Sequence, residues 1–382
     1  MKQIYFDNAS TSFPKAPGLG KVMGEQIDQA AYNINRGGYK GAYNLGEIVM
    51  DTRELLCSMF HGSDMANVIF TPGNTASVNM ALQGVLRAGD HVLVSGMEHN
   101  AVVRPLEYLA QQGVEWTQIP CNEQGELQLE QLEELIRSNT KMIFIMHASN
   151  VCGTILPIEK VGEICNKYNI LFGVDAAQSA GAYAINMEEM YIDLLTMPAH
   201  KSLMGPQGIG VLMLSERVAQ MIRPILQGGT GSASHELTMP EFMPDKLEAG
   251  TMNLTGVVGL YHALCYIQEE GMDTIVAKKK HLTEVFLQKL EQVKEIKVIG
   301  KHDLENRCAV VSVDCLHQDN AEVAYQLETK YGISTRCGLH CAPLAHRTLH
   351  TFPQGTIRFS LGYFNTVEEV QVVVDALRSI VS

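Results

Sequence analysis

The sequence lacks the features that would place it in a membrane or an export pathway. No uninterrupted apolar stretch approaches the roughly 20 residues that a membrane-spanning helix requires. The first residues contain Lys2 and Asp7 but no apolar core of the kind found in signal peptides. Low-complexity runs and internal repeats are also missing. We therefore expect a compact cytoplasmic protein with no membrane partner.

Basic residues are outnumbered, with 29 Lys and Arg against 42 Asp and Glu and a net charge of −13. Nucleic-acid binding requires a basic surface, and the densest basic cluster, Lys278-Lys279-Lys280, is typical of a solvated helix face. No nucleic-acid partner is therefore expected. The nine cysteines are scattered and odd in number, which argues against a disulfide framework and indicates a reducing compartment.

Short apolar runs alternate with segments of helical length through the first two-thirds of the chain. The predicted strands are 67–70, 91–94, 116–119, 142–146, 170–174, 193–196 and 209–214. The helices predicted between them are 75–87, 101–111, 129–137 and 158–168. This alternation indicates an α/β fold whose mostly parallel sheet is covered by helices on both faces.

The pattern changes after a segment rich in Gly and Pro over 227–250. The elements predicted beyond it are helices at 257–270, 275–293 and 367–379 and strands near Lys297, Ala309 and Thr356. We therefore expect a large domain over 16–255 and a smaller α+β domain over 256–382. An N-terminal segment, 1–15, is expected to pack near the small domain.

Ligands of open α/β sheets bind beyond the carboxyl ends of the strands. Five polar segments follow predicted strands in this sequence: Thr71–Thr75, Glu98-His99, Ser149-Asn150, Asp175–Gln178 and His200-Lys201. Because all five would line the same edge of the sheet, the sequence predicts one ligand site there.

Individually, these residues also have structural interpretations. Asn74 or Thr75 could cap the following helix, although the same turn offers backbone N–H groups to a phosphate. Asp175 could cap a helix or pair with a pyridinium nitrogen. His99 could be a structural histidine. Lys201 could be a solvated charge, or a Schiff-base lysine of lowered pKa.

The C-terminal part contains a segment of distinctive chemistry, Arg336–Pro343, with Cys341 between a glycine and a proline. A thiolate there, beside His340 and near Arg336, would be a good nucleophile. Cys341 could instead be a small core residue. A zinc site is a further alternative, with Cys337, Cys341, His346 and His350 as ligands, but its spacing is unusual, and we expect no metal.

Taken together, these segments resemble the cysteine desulfurase and selenocysteine lyase group of the class V aminotransferase superfamily. That superfamily has the fold type I of transferases that depend on pyridoxal 5'-phosphate (PLP). The resemblance rests on Tyr5–Thr11, Arg36-Gly37-Gly38, Met97–Ala101, Ser149–Thr154, Val174–Gln178, His200-Lys201, Ala249–Thr251, Arg336–Cys341 and Arg358. It covers almost the whole chain.

The resemblance implies how PLP would be held. Lys201 would bond covalently to the cofactor, Asp175 would pair with the pyridine nitrogen, and Gln178 would contact the ring hydroxyl. His99 would stack on the ring and move protons. The residues implied for the phosphate are Asn74, Thr75, His200 and, from the other subunit of a homodimer, Thr251.

The resemblance also implies the reaction. Asn150, Arg336 and Arg358 would bind the substrate, and Cys341 would take its sulfur as a persulfide for a possible acceptor protein. The predicted activity is conversion of L-cysteine to L-alanine. Selenocysteine lyase activity on L-selenocysteine stays open, as do a transaminase or epimerase of the same superfamily and a non-catalytic sulfur carrier. Pro198, where many relatives have serine, removes one phosphate hydroxyl.

Overall fold

The computed structural model describes residues 3–30, 32–34 and 40–382. Arg36-Gly37-Gly38, one of the segments on which the resemblance rests, lies outside these residues. The helices are α1 Leu19–Gln29, α2 Lys40–Phe60, α3 Asn74–Val85, α4 Asn100–Ala110, α5 Leu132–Leu135, α6 Ile158–Tyr168, α7 Glu216–Met221, α8 Leu254–Glu270, α9 Met272–Leu290, α10 Asn320–Tyr331, α11 Pro343–Thr348 and α12 Val367–Val381.

The strands fall into three sheets. They are β1 Ile4–Tyr5, β2 Val68–Thr71, β3 His91–Ser95, β4 Glu115–Ile119, β5 Thr140–Met146, β6 Leu171–Asp175, β7 Leu194–Pro198, β8 Gly210–Leu214, β9 Ile296–Ile299, β10 Val310–Cys315, β11 Ile333–Ser334, β12 Arg336–Gly338 and β13 Thr356–Ser360.

The central sheet has seven strands in the order β2-β8-β7-β6-β5-β3-β4, and β8 is antiparallel to both of its neighbours while the other pairs are parallel. Its two faces bury different sets of side chains. In β3, Leu93 belongs to one apolar cluster while Val92 and Val94 belong to another. Strands covered on both faces read as continuous apolar runs, and the predicted mostly parallel sheet with helices on both faces is confirmed.

A smaller antiparallel sheet, in the order β12-β13-β10-β9, forms the second part of the fold. Its own apolar cluster includes Phe286 of α9, Leu327 of α10 and Val373 of α12. The first strand, β1, pairs in parallel with β11, so the start of the chain joins this smaller part. The predicted α+β character of the C-terminal part is therefore confirmed. Among the described residues, no helix is long and apolar enough to cross a membrane.

Two local predictions differ from the structure. The segment 129–137 is not one helix: it forms a 3-10 turn, Leu129–Gln131, followed by the single helical turn of α5, because Ile136 adopts an extended conformation. The lysine cluster is not wholly solvated either. Lys279 Nζ donates to Ser202 Oγ at 3.2 Å, and burial lowers the pKa of Lys279, because α9 packs beside the loop that follows Lys201.

Candidate active site

A cavity of about 550 Å³ lies beyond the carboxyl ends of the parallel strands, where the polar segments were predicted to converge. We call it the lysine cavity. Of the predicted site residues it is lined by Asn74, Thr75, His99, Asn150, Asp175, Gln178, His200 and Lys201. These residues come from five separate segments, so the predicted convergence is present. Thr251, Arg336, Arg358 and Cys341 do not line it.

One wall of the lysine cavity is the first turn of α3, whose opening N–H groups have no partner within the helix and favour an anion. β8 passes directly behind this turn. A Cβ atom on Gly210 would lie 2.5 Å from the carbonyl carbon of Gly73, so glycine is required there. Asn74, predicted as a phosphate ligand, directs its side-chain N–H to Asp175 Oδ1 at 2.9 Å instead.

Asp175, at the end of β6, is only 3% exposed. Its Oδ1 accepts hydrogen bonds from Asn74 Nδ2 and from the backbone N–H of Ala177, each at 2.9 Å. Burial nevertheless raises the pKa of Asp175 above its usual range, with the hydrogen bonds and the charge of Lys201 opposing the effect. A cationic ring N–H hydrogen-bonded to this carboxylate would stabilise its negative charge further, so the residue fits a pyridinium partner.

Lys201 follows β7 on the turn that enters the lysine cavity. Burial, together with the charges of Arg358 and Arg336 and against the opposing charge of Asp175, lowers its pKa to about 8. The lysine is therefore closer to a neutral nucleophilic amine than a solvated lysine would be. Its neighbour His200 also has a lowered pKa, about 4, through burial, and its Nδ1 is buried without a hydrogen-bond partner among the described residues.

His99 lines the lysine cavity and is the N-cap of α4. Its Nδ1 accepts a hydrogen bond from the backbone N–H of Ala101 at 3.0 Å. Burial, with the charges of Lys201 and Arg336, lowers the pKa of His99 to about 4, so the ring is neutral. The sequence indicates no individual role for the adjacent Glu98. It is fully buried, and desolvation raises its pKa to about 8.

Of the cysteines that the structure describes, Cys341 is exposed and the others are buried or half-buried. Cys341 and His340 have φ values of 59° and 49°, a left-handed conformation that costs energy in residues other than glycine. The turn is held by hydrogen bonds from Asn150 Nδ2 to the His340 carbonyl and from the Asn100 N–H to the Cys341 carbonyl, both 2.8 Å. Arg336 Nη2 lies 3.3 Å from Cys341 Sγ.

Cys341 lines a second cavity of about 380 Å³, which we call the thiol cavity. Thr75, Asn79, His99 and Ala101 line both cavities, so the two adjoin. Cys337 is not part of this site, because it lines neither cavity and packs against the apolar cluster of the smaller sheet. The described residues include no group of three or more His, Cys, Asp or Glu side chains arranged to hold a metal ion.

Arg358 is 1% exposed and makes its contacts with the start of the chain. Its Nη2 donates to Asp7 Oδ1 at 2.7 Å and to Ser10 Oγ at 2.8 Å, and its Nη1 donates to the carbonyl of Asn150 at 3.1 Å. Ser10 Oγ also accepts from Arg336 at 3.3 Å. Asp7 and Ser10 belong to the segment Tyr5–Thr11, but no local pattern indicates their contacts with the two arginines.

The same N-terminal segment also holds the lysine turn. Lys15 Nζ donates to the carbonyl of His200 at 2.7 Å, and the backbone N–H of Ser12 donates to that carbonyl at 2.9 Å. Gln178 Nε2 donates to the carbonyl of Ala9 at 3.1 Å. One short stretch of chain therefore touches four of the predicted functional residues, Arg336, Arg358, His200 and Gln178.

Thr251 is exposed and lines neither cavity. The segment before it is anchored by a buried ion pair between Arg53 Nη2 of α2 and Glu248 Oε2, at 2.7 Å. Glu248 also accepts from the backbone N–H of Phe70 in β2 at 2.7 Å. Thr251 is therefore an exposed residue that follows an anchored segment. It does not contribute to the two cavities of its own chain.

Residues 4–373 match the family model described as aminotransferase class-V. The chain belongs to this family. A "Probable cysteine desulfurase" of Borreliella burgdorferi is 30% identical, over 99% of this chain and 92% of the relative. One of Methanothermobacter thermautotrophicus is 29% identical, over 99% of this chain and 94% of the relative. Among solved structures, the apo cysteine desulfurase from Thermococcus onnurineus superposes with a TM-score of 0.93 at 28% identity, over 99% of this chain and 94% of its own.

Proposed function

We propose that the chain is a PLP-dependent cysteine desulfurase, which converts L-cysteine to L-alanine and takes the sulfur onto Cys341. The observation that carries the proposal is the arrangement of Cys341. Its thiol lies 3.3 Å from a guanidinium nitrogen of Arg336, on a strained turn, in a cavity that adjoins the lysine cavity. The names of the relatives point to the same reaction.

The residues of the lysine cavity fit PLP. Lys201 has a lowered pKa, which suits covalent attachment to the cofactor. Asp175 is a buried carboxylate that can pair with a cationic ring nitrogen. The first turn of α3 can donate backbone N–H groups to the phosphate. In our proposal Thr75 and His200 join the phosphate, Gln178 contacts the ring hydroxyl and His99 lies over the ring. When bound, the cofactor withdraws electrons from the substrate's amino acid carbons, which makes the Cα proton and the Cβ–sulfur bond labile.

The protein's own groups then bind the substrate, move its protons and accept its sulfur. In our proposal the substrate carboxylate is oriented by Asn150, which lines the lysine cavity, and by Arg358, whose Nη1 donates to the Asn150 carbonyl. The neutral amine of Lys201 takes and returns a proton. The Cys341 thiolate attacks the sulfur of cysteine, forming an S–S bond while the Cβ–S bond breaks. The electron pair of that bond stays on Cβ, which takes up a proton, so alanine leaves and a persulfide remains on Cys341.

The decisive experiment compares Cys341→Ala with Cys337→Ala. Cys341→Ala removes the nucleophile but none of the lysine-cavity residues, so cysteine should still change the visible spectrum of the bound cofactor while neither alanine nor sulfide forms. Cys337→Ala should keep both products, because Cys337 lines neither cavity. A Cys341→Ala enzyme that makes alanine at the parent rate would show that Cys341 does not take the sulfur, and would overturn the proposed transfer.

Further parts of the proposal concern assembly and substrate choice. We propose a cytoplasmic homodimer in which Thr251 reaches the partner's phosphate site, with the domains divided at 255/256 as expected from the sequence. We also propose that a sulfur acceptor discharges Cys341. Alanine formation from L-cysteine and L-selenocysteine, measured side by side in the parent and in Cys341→Ala, separates a desulfurase from a lyase, because selenolate is a better leaving group and needs the thiol less.

A further inference from the structure

Cys341 lines a different cavity from the one that Lys201 lines. Cys341 lines the thiol cavity and not the lysine cavity, Lys201 lines the lysine cavity and not the thiol cavity, and His99 lines both. A molecule that takes sulfur from Cys341 can therefore approach the thiol from a space that adjoins the cofactor's, without displacing the cofactor. At about 380 Å³, that space is of the size that suits a small ligand.

The charge of the thiol cavity is opposite to that of the protein as a whole. Arg104, an exposed residue of α4, lines it, and no Asp or Glu does within the described residues. Nor does any carboxylate in the described part of the chain lie within 4 Å of the Arg104 guanidinium, as an ion pair would require. Arg336, beside the sulfur at 3.3 Å, adds a second cation. In a chain of net charge −13, this local positive field selects for anions.

The rest of the lining is suited to a short, partly apolar molecule. Tyr108, one turn after Arg104 on α4, is 53% exposed and lines the cavity together with Pro105. Gln83 of α3 adds a side-chain amide. The cavity thus combines a thiol, a cation and an aromatic wall within a small volume.

We propose that the thiol cavity is the site of the sulfur acceptor, and that the acceptor is a small thiol bearing a carboxylate, which Arg104 binds. This inference rests on the proposed function. The acceptor thiolate attacks the outer sulfur of the Cys341 persulfide and forms a new S–S bond. The bond between Cys341 Sγ and the outer sulfur breaks, and its electron pair stays on Sγ, where Arg336 lies close to the resulting thiolate. The acceptor leaves as a persulfide, and no external oxidant or reductant is required.

The test measures discharge of the Cys341 persulfide by three thiols of similar size: 3-mercaptopropionate, 2-mercaptoethanol and cysteamine, which are negative, neutral and positive. The enzyme with PLP bound is first loaded by one turnover of L-cysteine. Because each thiol has its own reactivity, the informative quantity is the rate ratio of 3-mercaptopropionate to 2-mercaptoethanol. Arg104→Gln should lower that ratio by about two- to fivefold, as expected for an exposed charge pair.

Further variants sharpen the assignment. Arg104→Glu should lower the ratio more than Arg104→Gln and should favour cysteamine, while Arg104→Lys should largely restore it. The matched control is Arg378→Gln, which removes an exposed arginine of α12 that lines neither cavity, and this control should keep the parent ratio. A ratio that is unchanged in Arg104→Gln and Arg104→Glu overturns the proposal.

A second measurement separates this inference from the proposed function. The exposed Cys341 thiol can be converted chemically to its mixed disulfide with 2-mercaptoethanol. Release of 2-mercaptoethanol from this disulfide by the same three thiols needs no desulfurase activity. Failure to form alanine and persulfide in the loading step would refute the proposed function alone. Loss of charge selectivity in Arg104→Gln during disulfide release would still support the acceptor site, and its absence would refute that site.

Discussion

At the scale of single residues, the lowered pKa of Lys201 has a measurable consequence. The neutral amine is the form that reacts with the cofactor's aldehyde, so the rate of PLP capture by the apo-protein should rise with pH and level off above about 8, instead of near 10.5. Borohydride trapping followed by mass spectrometry at each pH measures it.

The charges around Lys201 set the position of that midpoint. Arg336 lowers the pKa of Lys201 by Coulomb repulsion of its charged form, so Arg336→Gln should move the midpoint of capture to higher pH. Arg378→Gln, remote from the site, should leave it in place. A midpoint that stays fixed or moves to lower pH in Arg336→Gln would show that this arginine does not act on the lysine.

Which residues meet at the site was predictable, but the bonds that they make were not. Polar residues after buried strands identified Asp175, Gln178, His200 and Lys201, since the carboxyl ends of parallel strands share an edge. The hydrogen bond of Asn74 to Asp175 joins residues 101 positions apart, and nothing in the local sequence indicates it.

At the scale of elements, the N-terminal segment holds Arg358 through Asp7. The contribution of this contact to the stability of the protein can be tested by substituting Asp7. Asp7→Ala leaves the guanidinium of Arg358, 1% exposed, without its carboxylate. Breaking a buried ion pair from one side costs about 3 kcal/mol, so the free energy of unfolding in urea should fall by about that amount. Asp7→Asn, which can still accept the hydrogen bond, should lose less.

The matched control is the exposed pair of Arg378 and Asp375, with 3.4 Å between Nη1 and Oδ1. Asp375→Ala should cost about 1 kcal/mol or less, because exposed ion pairs contribute little. If Asp7→Ala costs no more than Asp375→Ala, the segment does not hold Arg358 in the way that the contacts indicate.

Some of the elements that we did not predict have a recognisable pattern of apolar residues in the sequence, and others do not. α2 buries Ala42, Leu45, Val49, Leu56 and Phe60, spacings of three, four, seven and four residues that follow a helical period, so this helix could have been found. β12 has three residues, all half-buried, and forms only by pairing with β13. Such a strand depends on its neighbour and has no pattern of its own.

At the scale of the whole molecule, the exposed position of Thr251 favours sites shared between two chains. A Lys201→Ala chain and a Thr251→Tyr chain should each be inactive alone. Unfolded together and refolded, they should form hybrids in which one of the two sites has both intact residues. With random pairing, half of the dimers are hybrids, so about a quarter of the parent activity should return.

The controls are each variant refolded alone and a mixture that is never unfolded, and neither should gain activity. Sedimentation of the parent measures the assembly directly. A parent protein that sediments as a fully active monomer would remove the basis for shared sites.

The hydrogen bond between Arg358 and Asp7 joins residues 351 positions apart, and this separation affects the timing of biosynthesis. A growing chain exposes Asp7 before Arg358, which is synthesised 351 residues later. Closing so long a loop comes late, and multi-part chains fold largely from the N-terminus as they emerge. The nascent protein therefore carries its lysine turn before Arg358 can make the contacts that hold it, and the site stays incomplete until that arginine has emerged.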